Sequence, residues 1–291
     1  MPMKEYVKLV IPEHLIIPAC GLFAGAVVTA QSFVFNELIV PFISFAFIFF
    51  AFNALNGVFD KKIDAINKPM RPIPSGAITE NNAFVFSIIL YVLGVLIAFS
   101  VSNTFGLVAM ILMVLTILYT TPPAYFKKIF IVSNINAALA YALMPMLGGW
   151  AVVGGTMPIV IFAFITLIAA GFISVKDFED YLGDSVYNVK TLPVIYGTKA
   201  SPFIFSLLII IPFLLIAAII SLDGNGIDGK LYLPLGVSLV ISLGFIQQLY
   251  KNAAQVIHKS RKDIVYHTNL TRWAIVSGAV IEIIFALGYL M

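Results

Sequence analysis

Charge is what this chain has least of. Asp, Glu, Lys and Arg make up only 11% of its 291 residues, against about 25% in soluble domains, which excludes a soluble globular fold. Cysteine occurs once, at Cys20 inside an apolar run, which excludes a disulfide framework and a thiolate metal site. Histidine occurs three times, with no cluster. The apolar runs do not alternate as the strands of an outer-membrane barrel do, so a β-barrel is not expected. The opening MPMKEYVKL is too short and polar for a cleavable signal peptide, and the apolar stretch behind it reads as a first membrane span.

What fills the chain is apolar. Hydrophobic residues are 61% and the mean hydropathy is +1.03. Apolar stretches of about 20 residues recur, the length that crosses a bilayer as a helix. The expectation is an all-α polytopic membrane protein of nine spans, at roughly 11–31, 37–59, 82–101, 103–120, 131–152, 157–178, 201–221, 231–250 and 271–290. Longer connections are expected near 60–81, 121–130, 179–200 and 251–270. This reads as one domain over 1–291, with two four-helix groups at about 11–120 and 131–250 and a ninth span behind them. With nine spans, 16 of the 17 Lys and Arg residues fall on one side, and only Lys230 falls on the other. Basic residues mark the cytoplasmic side. The expected location is the cell membrane, with the N-terminus and long loops in the cytoplasm and the C-terminus outside. No nucleic-acid partner is expected.

Most acidic residues gather on that same side, which orientation alone does not require. Asn56, Asp60 and Asp64 follow one another at i, i+4, i+8 where span 2 ends. That spacing sets them on one helical face, where the two carboxylates repel unless a cation lies between them. Asp177, Asp180 and Asp184 stand at i, i+3, i+7 where span 6 ends. Oxygen donors without Cys or His suit Mg²⁺, which binds through one or two carboxylates together with substrate phosphates. Two such faces meeting across a bundle fit two or three Mg²⁺ around a diphosphate. Cations for phosphate oxygens follow closely: Lys68 and Arg71 on a loop stiffened by Pro69, Pro72 and Pro74, then Lys127 and Lys190.

The stretches NGVFDKKIDAINKPMRPIPSG and KDFEDYLGDSVYNVKTLP, with the loop YTTPPAYFKK between them, resemble the signatures of the UbiA superfamily of intramembrane prenyltransferases. The resemblance implies a nine-helix bundle around a central cavity under cytoplasmic cap loops. It also implies Mg²⁺-dependent transfer of a prenyl group from a prenyl diphosphate to a lipophilic acceptor. Asn56, Asp60, Asp64, Asp177, Asp180 and Asp184 match the motif residues, and the resemblance implies that they hold the metal. Lys68 and Arg71 match the basic residues after the first motif, and Tyr119, Lys127 and Asn134 match the following loop and helix. Gly57 stands where many members carry an acid, with Asn53 one turn earlier as a partial substitute. Ile11 stands where many carry Arg. The motifs look most like the archaeal branch that prenylates geranylgeranylglyceryl phosphate and somewhat like chlorophyll synthases. An aromatic, quinone or chlorin acceptor is the alternative.

On that reading the diphosphate leaves as Lys68, Arg71, Lys127 and Lys190 neutralise its oxygens. The prenyl tail lies among helices and membrane lipid. Tyr119 is a candidate to shield the allylic cation. Tyr141 is a second candidate that reads equally as packing. His14 and Glu282 are ionisable groups within spans, and such groups are functional by default, although His14 near the span end also fits simple exposure. Gly21 and Gly25 read as a close helix contact. The basic segment 250–272 reads as a surface helix on anionic lipid. A secondary transporter is the rival class, opposed by the placement of the acids at one membrane face rather than mid-membrane.

Overall fold

The structure is a computed structural model that describes residues 3–222, 229–258 and 267–291. It is helical throughout. Helices α1 (Met3–Val10), α2 (Ile16–Ala30), α3 (Ile39–Asn67), α4 (Glu80–Val101), α5 (Asn103–Thr120) and α6 (Phe130–Ala138) are followed by α7 (Met144–Val153), α8 (Ile159–Ile173), α9 (Asp177–Val186), α10 (Leu192–Leu222), α11 (Tyr232–His258) and α12 (Asn269–Leu290). Nine stretches among the described residues are long and apolar enough to span a membrane. They match the expected spans in number and order. Residues 259–266, which carry Lys259, Arg261, Lys262 and Asp263 of the segment expected as a surface helix over 250–272, lie outside the described residues; its first part, up to His258, continues α11.

Two boundaries differ in a way that matters. Helix α3 continues past its apolar stretch to Asn67, so the first acidic motif sits on regular helix. Span 6 continues through one 3₁₀ turn, Ser174–Lys176, into α9. The connection expected over 179–200 is therefore mostly helix, and α10 begins at Leu192, with a break at Gly197 where φ is +78°. Hydropathy could not reveal these extensions, because amphipathic charged turns carry no apolar run.

Burial sorts the spans. Span 2 is buried over 67% of its apolar window and span 6 over 56%, whereas spans 3 and 7 reach only 28% and 22%. The two stretches that carry the acidic motifs are the most buried of the nine. Without water to drive association inside a bilayer, helices join through small residues and hydrogen bonds. A Cβ on Gly25 would lie 2.1 Å from the Met146 carbonyl oxygen, and one on Gly149 would lie 2.2 Å from that of Leu22. The backbones of α2 and α7 therefore touch, and only glycine fits at either position. On the other side of the bundle Ser44 Oγ donates to the Gly94 carbonyl at 2.8 Å, tying α3 to α4. Tyr91 and Thr116 hydroxyls pair at 3.0 Å between α4 and α5.

Candidate active site

Helices α3 and α9 lie side by side at one end of the bundle, 113 residues apart in sequence at the pair Asn67 and Asp180. Asn67 is fully buried and uses both ends of its amide. Its Nδ2 donates to the Asp180 carbonyl at 2.8 Å, and its Oδ1 accepts the Gly183 N–H at 2.8 Å. Gly183 permits this approach, because a Cβ there would meet Asn67 Nδ2 at 2.6 Å and the Ile63 carbonyl at 2.8 Å. The two acidic faces are set opposite one another by this clamp.

Between them opens a cavity of about 1290 Å³ counted out to its mouth. Its walls include Asn56, Asp60 and Asp64 from α3, Asp177, Asp180 and Asp184 from α9, and the cations Lys68, Arg71, Lys127 and Lys176. The opposite wall is largely apolar, with Ile17, Phe52, Ala140, Phe172, Ala274 and Ile275 among its residues. A charged rim above a greasy wall suits an amphiphile whose head is an anion.

Every cation at the rim is tied to a carboxylate. Arg71 donates from Nη1 to both oxygens of Asp64, at 2.9 and 3.1 Å. Lys68, buried to 2% exposure, reaches Asp180 at 2.6 Å and Glu179 at 3.0 Å. Lys127 bonds Asp60, and Lys176 reaches Asp177 at 3.2 Å. Burial lowers the proton affinity of Lys68, but the charges of Asp180 and Glu179 outweigh it and the ammonium stands above the ordinary lysine range. Arg71 is raised likewise, with Asp64 overcoming its burial. Lys127 goes the other way. Burial and the neighbouring Lys176 charge take it down to about 7, against the pull of Asp184 and Asp180.

The donor set fits Mg²⁺. It consists of carboxylate oxygens and the Asn56 amide oxygen, all hard ligands. Among the described residues no three acidic, His or Cys groups converge on one metal point.

The UbiA prenyltransferase family profile matches residues 16–270. The chain belongs to the UbiA prenyltransferase family. It is a membrane-embedded prenyltransferase, and its residues are similar along most of their length to known members. It shares 32% identity over 236 residues with the digeranylgeranylglyceryl phosphate synthase of Methanothermobacter thermautotrophicus, covering 80% of each chain. With the synthase of that name from Methanococcus vannielii it shares 28% over 294 residues, covering 97% of this chain and 100% of the other. A UbiA homologue of Archaeoglobus fulgidus solved with GPP and Mg²⁺ has the same fold, with a TM-score of 0.70 at 18% identity over 98% of this chain and 99% of that one.

Not every residue expected at the UbiA-type site reaches the cavity. Lys190 is exposed and does not line it. Its backbone N–H donates to the Lys128 carbonyl at 3.2 Å, so this position ties two cap segments together through the main chain. Asn134 is buried away from the cavity, donating to the Ala170 carbonyl at 2.9 Å and bonding Ser174, so it joins α6 to α8. Asn53 does line the cavity, but its amide is committed to the Val10 carbonyl at 2.6 Å and to His14 at 2.7 Å, so it does not replace a carboxylate. Gly57 is absent from the cavity wall: a Cβ there would meet Ile73 at 3.2 Å and Leu9 at 3.5 Å, beside a smaller pocket that it shares with Asp64 and Arg71. Tyr119, Tyr141 and His14 line the cavity. Three residues there went unsingled in the sequence: Lys176, His267 and Glu179, the last buried behind the rim. Lys176 abuts Asp177, a signal that local reading had in hand. His267 and Glu179 meet across 88 residues, which no local pattern signals.

Proposed function

We propose that this enzyme transfers a geranylgeranyl group from geranylgeranyl diphosphate to the free hydroxyl of geranylgeranylglyceryl phosphate, releasing diphosphate, with Mg²⁺ as cofactor. The observation that carries the proposal is the convergence of two remote aspartate motifs and four cations on the rim of one apolar-walled cavity. The names of its relatives support the acceptor, and homologues solved with GPP or DMAPP and Mg²⁺ support the donor class. The site faces the cytoplasm on this reading, supported by the placement of 16 of 17 basic residues on that side of the sequence. The two four-helix groups each deliver one motif.

Asp60, Asp64, Asp177, Asp180, Asp184 and Asn56 would hold the metal. Bound Mg²⁺ would neutralise diphosphate oxygens and stabilise the charge that grows as the allylic C–O bond breaks. The residues present do the rest by exchanging partners. Lys68, Arg71, Lys127 and Lys176 exchange carboxylates for phosphate oxygens as the diphosphate enters. These cations then hold the departing negative charge in a site of low water content, where one such donor contributes on the order of 10²–10³ in rate. Phe52 and Tyr119 stand below the rim with ring centroids 5.8 Å apart. Their faces shield an allylic cation from water. Ser133 supports the Tyr119 hydroxyl at 3.5 Å.

The test is direct. Purified full-length protein is incubated with Mg²⁺, prenyl diphosphates of several lengths and a panel of acceptors, and the products are identified by mass. The C20 donor with geranylgeranylglyceryl phosphate is expected to turn over fastest. Turnover only with an aromatic acceptor would overturn the acceptor assignment. Retained transfer in both Asp60→Ala and Asp177→Ala would overturn the site.

A further inference from the structure

Beside the acidic rim, a second polar chain runs along the cavity wall. His14 Nε2 lies 2.6 Å from His267 Nε2, and His267 Nδ1 lies 2.7 Å from Glu179 Oε1. Glu179 also accepts from the Thr268 N–H at 2.9 Å and the Thr271 hydroxyl at 2.8 Å, with Lys68 at 3.0 Å. At the other end, His14 Nδ1 meets Asn53 Oδ1 at 2.7 Å and the Tyr141 hydroxyl at 3.4 Å. The chain therefore leads from Tyr141, on the cavity wall, to a buried carboxylate.

Proton positions follow from the hydrogen-bond network. Glu179 is surrounded by donors and accepts, so His267 Nδ1 carries a hydrogen. Only one proton fits between the two Nε2 atoms. Asn53 donates its NH₂ to the Val10 carbonyl, which turns its carbonyl oxygen towards His14 Nδ1. A bare Nδ1 would set a lone pair against that oxygen, whereas a protonated Nδ1 makes a hydrogen bond. With Nδ1 bare in the resting pair, a proton arriving there turns this contact into a hydrogen bond. The charge then comes to rest on His267 beside Glu179.

The position is right for the reaction. Asn53 lies seven residues below Asp60 on α3, about 10 Å along the axis, which is beneath the rim on the apolar side. Tyr141 sits in a π-helical turn, Leu139–Leu143, that interrupts span 5. Such turns recur at functional positions, and here the tyrosine lines the cavity, its ring 4.9 Å from that of Phe49.

We infer that Tyr141 and His14 remove the proton of the acceptor hydroxyl, a role that rests on the acceptor reading above. The acceptor oxygen bonds to C1 of the allylic group, and the C1–O bond to diphosphate breaks with its electron pair leaving on the diphosphate. The acceptor proton passes to the Tyr141 oxygen, and the Tyr141 proton passes to His14 Nδ1. The proton between the rings moves to His267 Nε2. The acceptor loses one proton, the histidine pair gains one, and Tyr141 is unchanged. Tyr141 touches the acceptor and is the catalytic residue; His14, His267 and Glu179 act through it.

The test uses full-length enzyme in lipid nanodiscs with Mg²⁺, geranylgeranyl diphosphate and geranylgeranylglyceryl phosphate. Ether product and the alcohol formed by water capture are quantified separately. Tyr141→Phe keeps the ring packing, and His14→Gln removes the proton acceptor. Both are expected to slow ether formation about 10²-fold, the scale of general base catalysis. Alcohol formation and the KM for the diphosphate stay at wild-type values, so the ether-to-alcohol ratio falls by the same factor. An unchanged ratio in Tyr141→Phe, or an equal loss of both products, would overturn the relay and leave the acceptor assignment standing. Wild-type enzyme that forms alcohol but no ether would overturn the acceptor assignment and the relay with it.

Discussion

Gly183→Ala is the smallest change that bears on how the two acidic faces are held apart. An added Cβ would lie 2.6 Å from Asn67 Nδ2 and 2.8 Å from the Ile63 carbonyl oxygen, where ordinary contact begins at 3.4 Å. The shortfall is about 0.6–0.8 Å. Neither neighbour is the free end of a flexible side chain: one is helix backbone and the other is an amide already held by two hydrogen bonds. The strain is therefore relieved by moving α9 away from α3. Overpacking of this kind costs about 1–3 kcal/mol, and losing the Asn67 bonds adds about 1 kcal/mol each. The chemical cost is larger, since a misplacement near 1 Å between catalytic groups is worth on the order of 10²-fold in rate. The expected result is a fall of about 10²-fold in kcat, with the protein still folded and with more Mg²⁺ needed for half-maximal rate. Steady-state turnover across a Mg²⁺ titration, with thermal unfolding in the same detergent, reads both quantities. A Gly183→Ala enzyme with wild-type kcat and Mg²⁺ dependence would refute the argument that the α3–α9 spacing sets the site.

Lys68→Met removes a buried cation that faces two carboxylates; breaking such a pair costs about 3–5 kcal/mol, and the donors that Glu179 keeps from His267, Thr268 and Thr271 limit the loss to the lower end. A lowered unfolding temperature with transfer reduced by more than about 10²-fold is expected, and a variant as stable and active as wild type would contradict the placement. Gly25→Ala sets a methyl group against the Met146 backbone and is expected to destabilise the α2–α7 contact by about 1–3 kcal/mol, read as faster thermal inactivation with little change in initial rate. Lys190→Ala is expected to leave activity and stability within about 0.5 kcal/mol of wild type, because the side chain is exposed and only its backbone N–H is used; a strong loss of transfer would return it to the diphosphate site.

Some of this protein was settled by sequence alone. The number and order of its spans follow from run length, because a bilayer demands about 20 apolar residues per helix whatever the neighbours are. The one-faced spacing of Asn56, Asp60 and Asp64 follows from helical period, and it holds because α3 stays regular to Asn67. Tertiary structure decided the rest. The amide of Asn67 joins the two motifs across 113 residues. Gly57 and Lys190 lie in or just after the two acidic motifs, yet packing against Leu9 and Ile73 at one and the cap pairing at the other keep them off the cavity wall. His14 stands out in sequence as an ionisable group near a span end, but nothing local links it to His267 or to Glu179, which is one acid among several. Their hydrogen bonds exist only because span 1, the start of span 9 and α9 converge. Local periodicity reports which face a residue occupies; which partner waits on that face depends on contacts between distant segments.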